Sequence, residues 1–228
     1  MAHRLSRRML LAAGCALPIL ALPGCARTLG GLGLPLEDAI RRILTLSSQR
    51  AFARLLRDNG FFEHDLARVE LPPALGGPGA GGLLAQLLRS STVQNQLLRL
   101  VNGAAADAAE AAAPVVYDSI QDMTIVDALG IVRGGSTAAT AYLEGRIGDR
   151  IVDILFPGVG NALRILDSGI LTQALGAATG IDFAGLQRDV TGKTARGIWA
   201  AIDREEAAIR ADPRATGDPL IGSVFGVF

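Results

Sequence analysis

The sequence predicts an all-α fold: a single compact domain of about six or seven helices with short Gly- and Pro-containing connections, behind an export segment. Three observations predict it. Hydrophobic residues make up 50% of the 228 and aromatics only 4%. A core must then be built from Leu, Ile, Val and Ala, and Ala and Leu lose little on entering a helix, whereas β-rich domains draw more on aromatic and β-branched residues. Apolar residues recur at helical spacing, with strand-like alternation essentially missing. The sequence has no period of the kind that marks a helical repeat array.

The first element is a targeting segment, residues 1–24. Arg4, Arg7 and Arg8 form a basic start, followed by an uncharged apolar run from Met9 to Pro23. That order is the one of a secretory signal peptide. The run is too short for a spanning helix, which needs about 20 apolar residues, and it carries Pro18 and Pro23. Ser6-Arg7-Arg8-Met9-Leu10-Leu11 has the form of a twin-arginine signal. Leu22-Pro23-Gly24-Cys25 has the form of a lipobox, in which the Cys25 thiol takes a diacylglycerol and becomes the new N-terminus. The alternative is ordinary cleavage after Ala26. The expected location is the periplasmic side of the envelope, as an outer-membrane lipoprotein held at Cys25 or, failing lipidation, as a soluble periplasmic protein. Either way the mature chain keeps at most one cysteine, which excludes an intramolecular disulfide.

Residues 25–35 are Gly-rich and read as a tether, leaving 36–228 as the helical domain. Leu36 to Asp58 is an amphipathic helix with Glu37/Arg41 and Asp38/Arg42 as i,i+4 pairs. Asn59-Gly60 ends it through a left-handed residue. Phe61 to Pro73 is an irregular connector, and Leu75 to Gly82 a Gly-rich loop. A helical pattern then runs from Leu83 to about Asp118, with Pro114 expected to kink or restart it. The nearly pure Ala stretch 104–113 invites close approach by a neighbour. Thr124 and Asp127 have capping-box spacing for a short helix that stops at Gly134-Gly135. One of those glycines is expected to be left-handed, with Ser136 capping the next helix. That helix ends at Pro157-Gly158, and Asn161 to Leu175 forms another. The last long helix spans about Asp189 to Ala211, with Ile198, Trp199, Ile202 and Ile209 inward and Asp203-Arg204-Glu205-Glu206 outward. Asp212-Pro213 terminates it, and an apolar tail follows from Leu220 to Phe228.

The stretch from Asp122 to Leu143 (DMTIVDALGIVRGGSTAATAYL), together with Asn59-Gly60-Phe61 and Val69-Glu70-Leu71-Pro72, resembles motifs of the bacterial family DUF4197. Val190 to Arg210 (VTGKTARGIWAAIDREEAAIR), Asp212-Pro213 and Val224-Phe225-Gly226 are similar to the family's C-terminal motif. The resemblance spans about Leu36 to Gly226 and keeps the motif order. It departs at Ile221-Gly222-Ser223, where members commonly carry Lys, and is loose from Gly158 to Gly180. It implies a helical exported protein, often a lipoprotein, and no activity.

Charge and motifs narrow the function further. Lys and Arg together equal Asp and Glu at 22 each, with no block of one sign, so no nucleic-acid partner is expected. Loss of Arg4, Arg7 and Arg8 takes the basic residues to 19 against 22 acidic, a net charge of −3. His64, the one His of the mature chain, sits between Glu63 and Asp65 on an extended connector, where neighbours diverge, so no metal site is expected. Asp203, Glu205 and Glu206 read as a solvated face rather than as acid–base partners. Gly134-Gly135-Ser136 lacks the Lys of a phosphate loop and reads as a turn, and Ser136, Thr137 and Thr140 lack a His base. Trp199 reads as core. No catalytic, cofactor or metal residue is therefore expected. The sequence points to a non-enzymatic structural or interaction module with an envelope protein as partner. A carrier or sensor of an apolar ligand such as a lipid is the alternative, and an enzyme the weakest reading.

Overall fold

The computed structural model describes residues 33–71, 91–166 and 183–227. Seven α-helices follow one another: α1 (Gly33–Leu55), α2 (Gly60–Glu63), α3 (Ser91–Asp122), α4 (Ala128–Arg133), α5 (Ala138–Leu166), α6 (Phe183–Ala211) and α7 (Pro219–Phe225). A 3-10 turn, Pro213–Thr216, joins the last two. The described residues contain no strand, and the all-α expectation holds. None of their helices is long and apolar enough to cross a membrane. The targeting segment with Cys25, most of the tether, the Gly-rich loop and the Thr179-Gly180 break lie outside the described residues.

The core joins all four long helices. Ala105, Ala108, Ala109 and Ala112 of α3 are fully buried, and α3 shares its largest interface with α5. The contact is close enough that a Cβ on Gly158 would lie 3.1 Å from that of Ala108. The Ala run therefore does what its short side chains allow, letting two backbones approach. Along the same pair Tyr142 meets Thr124, so the helices are antiparallel. α6 returns antiparallel to α5, since Gln187 reaches Phe156 and Glu206 reaches Thr140.

Two prolines stay inside helices, Pro157 where an end was expected and Pro114 where a kink or restart was. Pro114 lies within α3 and Pro157 within α5. Both are exposed. The carbonyl that each leaves unbonded four residues earlier belongs to Glu110 or Asp153, also exposed, where water can take over the lost bond. The predicted helix from Asn161 is thus the continuation of α5 to Leu166.

Asn59 takes the left-handed conformation at the end of α1, with φ 58°. The chain then turns so tightly that a Cβ at Gly60 would sit 2.3 Å from the carbonyl oxygens of Arg54 and Leu55. Only glycine fits there. The connector is helical for one turn (α2) and then extended, fastened by Asn102 of α3. That buried amide accepts from the Val69 N–H at 2.8 Å and donates to the Val69 and Leu98 carbonyls.

At the junction between α4 and α5 the helix stops at Gly134 as expected, but the capping and the glycine conformation differ. Asp127, not Thr124, caps α4, accepting from the Gly130 N–H at 2.9 Å. Gly134 has φ −69° and ψ −177°, an extended conformation open to any residue. Among the described residues the positive-φ glycine is Gly217. Gly134 is instead held to glycine by crowding, because a Cβ there would meet that of Ala138 at 2.6 Å, whereas Gly135 faces open space. Ser136 is exposed and precedes α5 by two residues. The first N–H groups of that helix are capped from another element.

Candidate functional site: buried charges along the C-terminal helix

Ile198, Ile202 and Ile209 lie on the buried stripe of α6 at intervals of four and seven. Glu205 and Glu206 fall three and four residues after Ile202, on that same stripe. The structure accordingly buries both, at 3% and 0% exposure. The expectation of a solvated acidic face is overturned for these two residues. What compensates the cost of burying a carboxylate is a complete set of donors.

Glu206 is saturated. Its Oε1 accepts from the Ala139 N–H at 3.0 Å and from Arg210 Nε at 2.7 Å. Its Oε2 accepts from the Thr140 N–H and the Thr140 hydroxyl, each at 2.6 Å. Ala139 and Thr140 open α5, so the carboxylate occupies the positive end of that helix and does the capping assigned to Ser136. Arg210 extends the clamp by donating to the Val132 and Ile131 carbonyls at 2.9 and 3.1 Å, at the close of α4. Its guanidinium also stacks over Phe225 of α7, 4.6 Å from the ring centroid. One acid and one base thus tie α4, α5, α6 and α7 together.

Glu205 points the other way, to Arg54 of α1 at 2.5 Å. Asp203, half-buried, has no such donor. Burial, then the charges of Glu206 and Glu144, push its carboxyl up to about 6.

Beyond Arg54 lies an open depression of about 740 Å³, lined by Arg54, Arg57, His64, Asp65 and Arg204 among others. Arg204 clasps Asp65 through two hydrogen bonds of 2.6 and 2.8 Å, and that hydrogen-bonded pairing holds the Asp65 carboxyl below its ordinary range. His64 is not a freely solvated residue. Its Nδ1 accepts from the Ala67 N–H at 3.2 Å, which leaves the proton of the neutral ring on Nε2. Burial, followed by the charge of Arg204, lowers its pKa.

Chemically these groups are spoken for. Thr140, weighed as a nucleophile, is fully buried with its hydroxyl committed to Glu206. Ser136 is exposed and away from any His contact given by the structure. His64 has no Ser, Thr or Cys among the side chains lining its depression. No group of three or more His, Cys, Asp or Glu among the described residues is arranged to hold a metal ion. Trp199 is 4% exposed and packs in the core. Cys25 lies outside the described residues.

The Glu206–Arg210 clamp escaped the sequence reading although its signal was present: an i,i+4 acid–base pair in phase with Ile198, Ile202 and Ile209. Asn102 left a fainter trace, a lone amide on the buried face of an Ala-rich helix.

No curated protein and no solved structure matches the chain. Residues 35–226 match the family described as protein of unknown function, DUF4197. With helices, motif order and matched span all in agreement, the chain belongs to the DUF4197 family.

Proposed function

We propose that the protein is an exported envelope lipoprotein, anchored through Cys25, that acts as a non-enzymatic interaction or structural module. The observation that carries this reading is the commitment of the buried charges. Both carboxylates on the α6 stripe bond to arginines, and Glu206 to backbone N–H groups as well. Active sites keep titratable groups aimed at a cavity, with lone pairs or protons free for substrate. Here those groups serve cohesion between helices. The depressions at Arg54–Arg204 and at Arg42–Asp218 are open and lined mainly by charged or polar side chains, unlike the largely apolar, enclosed sites that take lipids.

The test is crosslinking in intact envelopes, with a photoreactive residue placed in turn at exposed positions of α3, α5 and the α4 turn. A discrete protein adduct that recurs from one face supports a docking module. Adducts of lipid alone from a photoreactive residue at the buried Trp199 would favour the carrier. Intact mass of the membrane-extracted protein tests the anchor: a diacylglyceryl addition at Cys25 is expected, and a mature N-terminus at Arg27 without lipid contradicts it.

A further inference from the structure

The end of the domain where α1 begins carries the two most exposed large aliphatic side chains among the described residues, Val126 and Val227. Val126 is 80% exposed and Leu129 44%, both in or beside the turn from Met123 to Asp127, and Val227, just past α7, is 75% exposed. These residues belong to one end of the molecule. Arg41, in the first half of α1, donates to the Met123 carbonyl at 2.9 Å, and the adjacent Arg42 holds Asp218, the cap of α7, at 2.6 Å. Arg210 joins the other sides, reaching Ile131 and Val132 of α4 while lying over Phe225.

The turn is built, not loose. Met123 and Ile125 are buried on either side of Thr124. The Tyr142 hydroxyl donates to the Thr124 carbonyl at 2.8 Å, and Asp127 caps α4. Folding therefore presents Val126 outward on a fixed support. Covering these side chains would remove further apolar area from water.

Chain length says what covers it. Seven residues, and so eight Cα-to-Cα steps, separate Cys25 from Gly33, the first residue of α1. Fully extended they reach about 28 Å, and as a Gly-rich coil about 16 Å. A lipid on Cys25 therefore holds the starting end of α1 within about 28 Å of the bilayer, nearer the anchor than the far end of a helix about 34 Å long. The flanking exposed charges are mixed, Asp122 and Asp127 with Arg133 and Arg146, which suits a mainly zwitterionic headgroup layer. An anchor supplies a high local concentration of membrane, so weak aliphatic contacts suffice.

We infer that the end bearing Val126, Leu129 and Val227 is a membrane-contact surface, seated on the zwitterionic bilayer to which Cys25 tethers the chain. The inference rests on the lipoprotein reading proposed above. It orients the domain with the start of α1, the α4 turn and α7 toward lipid.

The experiment uses the full mature protein, extracted from membranes with its anchor and reconstituted in phosphatidylethanolamine vesicles containing a minor share of phosphatidylglycerol. An environment-sensitive fluorophore is attached through Val126→Cys, through Leu129→Cys, or through Asp153→Cys, an exposed site about 22 Å further along α5. Lipids carrying a nitroxide near the headgroup should quench the first two roughly twofold and shift their emission to the blue, with little change at the third. Equal, weak quenching at all three sites in protein that still sediments with vesicles overturns the contact surface and leaves the anchor standing. Protein whose mass lacks the diacylglyceryl group and which stays in the supernatant overturns both.

Discussion

Two carboxylate–arginine pairs involving α6 share bond lengths but not consequences. Glu206 and Arg210 are 0% and 10% exposed at their side chains, and Asp65 and Arg204 are 68% and 40% exposed. Their shortest contacts are 2.7 and 2.6 Å. Geometry alone would rank them equal. The difference lies in what each charge loses when its partner goes. A freed Asp65 or Arg204 turns to water. A freed Arg210 stays against Phe225 and the carbonyls of α4 with no counter-charge, and the first N–H groups of α5 lose their cap.

The comparison can be broken by deletion. Glu206→Ala should cost about 3–5 kcal/mol, the range for stripping one partner from a buried pair, read as a lower urea midpoint with unchanged slope. Trp199→Ala should fall in the same range of about 3–5 kcal/mol through its cavity alone, and it serves as a purely apolar reference. Asp65→Ala should change stability by less than about 1 kcal/mol. If Asp65→Ala costs as much as Glu206→Ala, burial is not what separates the pairs.

Protonation sharpens the contrast further. Asp203 is raised to about 6 from 3.8, so the folded state binds its proton more tightly than the unfolded chain does. Its contribution is a penalty, fully present above the folded pKa and lost as pH falls toward the unfolded value. Asp203→Asn should therefore stabilise the protein by about 1–2 kcal/mol near pH 8, after allowance for its partial exposure, and the gain should vanish by about pH 4. Asp65 and Asp218, whose carboxyls are held low, have the opposite sign. Their stabilisation is present above the unfolded pKa and is lost as pH falls through the folded one. The two glycines of the α4–α5 junction should differ, with the smallest effect of all at Gly135. Gly134→Ala should destabilise by about 1–2 kcal/mol through overpacking against Ala138, and Gly135→Ala, open on all sides, should be neutral within about 0.5 kcal/mol.

The fold was legible where it depends on period. The Ile198–Ile209 stripe, the Ala-rich face of α3 and the left-handed Asn59 all follow from spacing and residue type. Failures came where tertiary contact overrides a local rule. Pro157 was expected to end its helix, but Asp153, whose carbonyl it leaves unbonded, is exposed to water. Ser136 was expected to cap α5, but Glu206 supplies the cap from 66 positions away. Charged residues were assigned to solvent by type, although Glu205 and Glu206 stand in phase with the core. The lesson is specific: phase on a helix outranks side-chain class when an Arg lies one turn on. Of the candidate site, the sequence showed the individual residues and hid their partners, since nothing local links Arg54 to Glu205 or His64 to the groove below Arg204.

The central claim is that the Glu206–Arg210 pair is cohesive structure, its two members energetically coupled inside the core. A double-mutant cycle with Glu206→Ala, Arg210→Ala and the double variant, followed by urea unfolding, measures that coupling directly. The account predicts a coupling of at least about 2 kcal/mol, with the double variant less destabilised than the sum of the singles, because the second deletion removes the charge that the first left unpaired. Additivity within about 0.5 kcal/mol would contradict it.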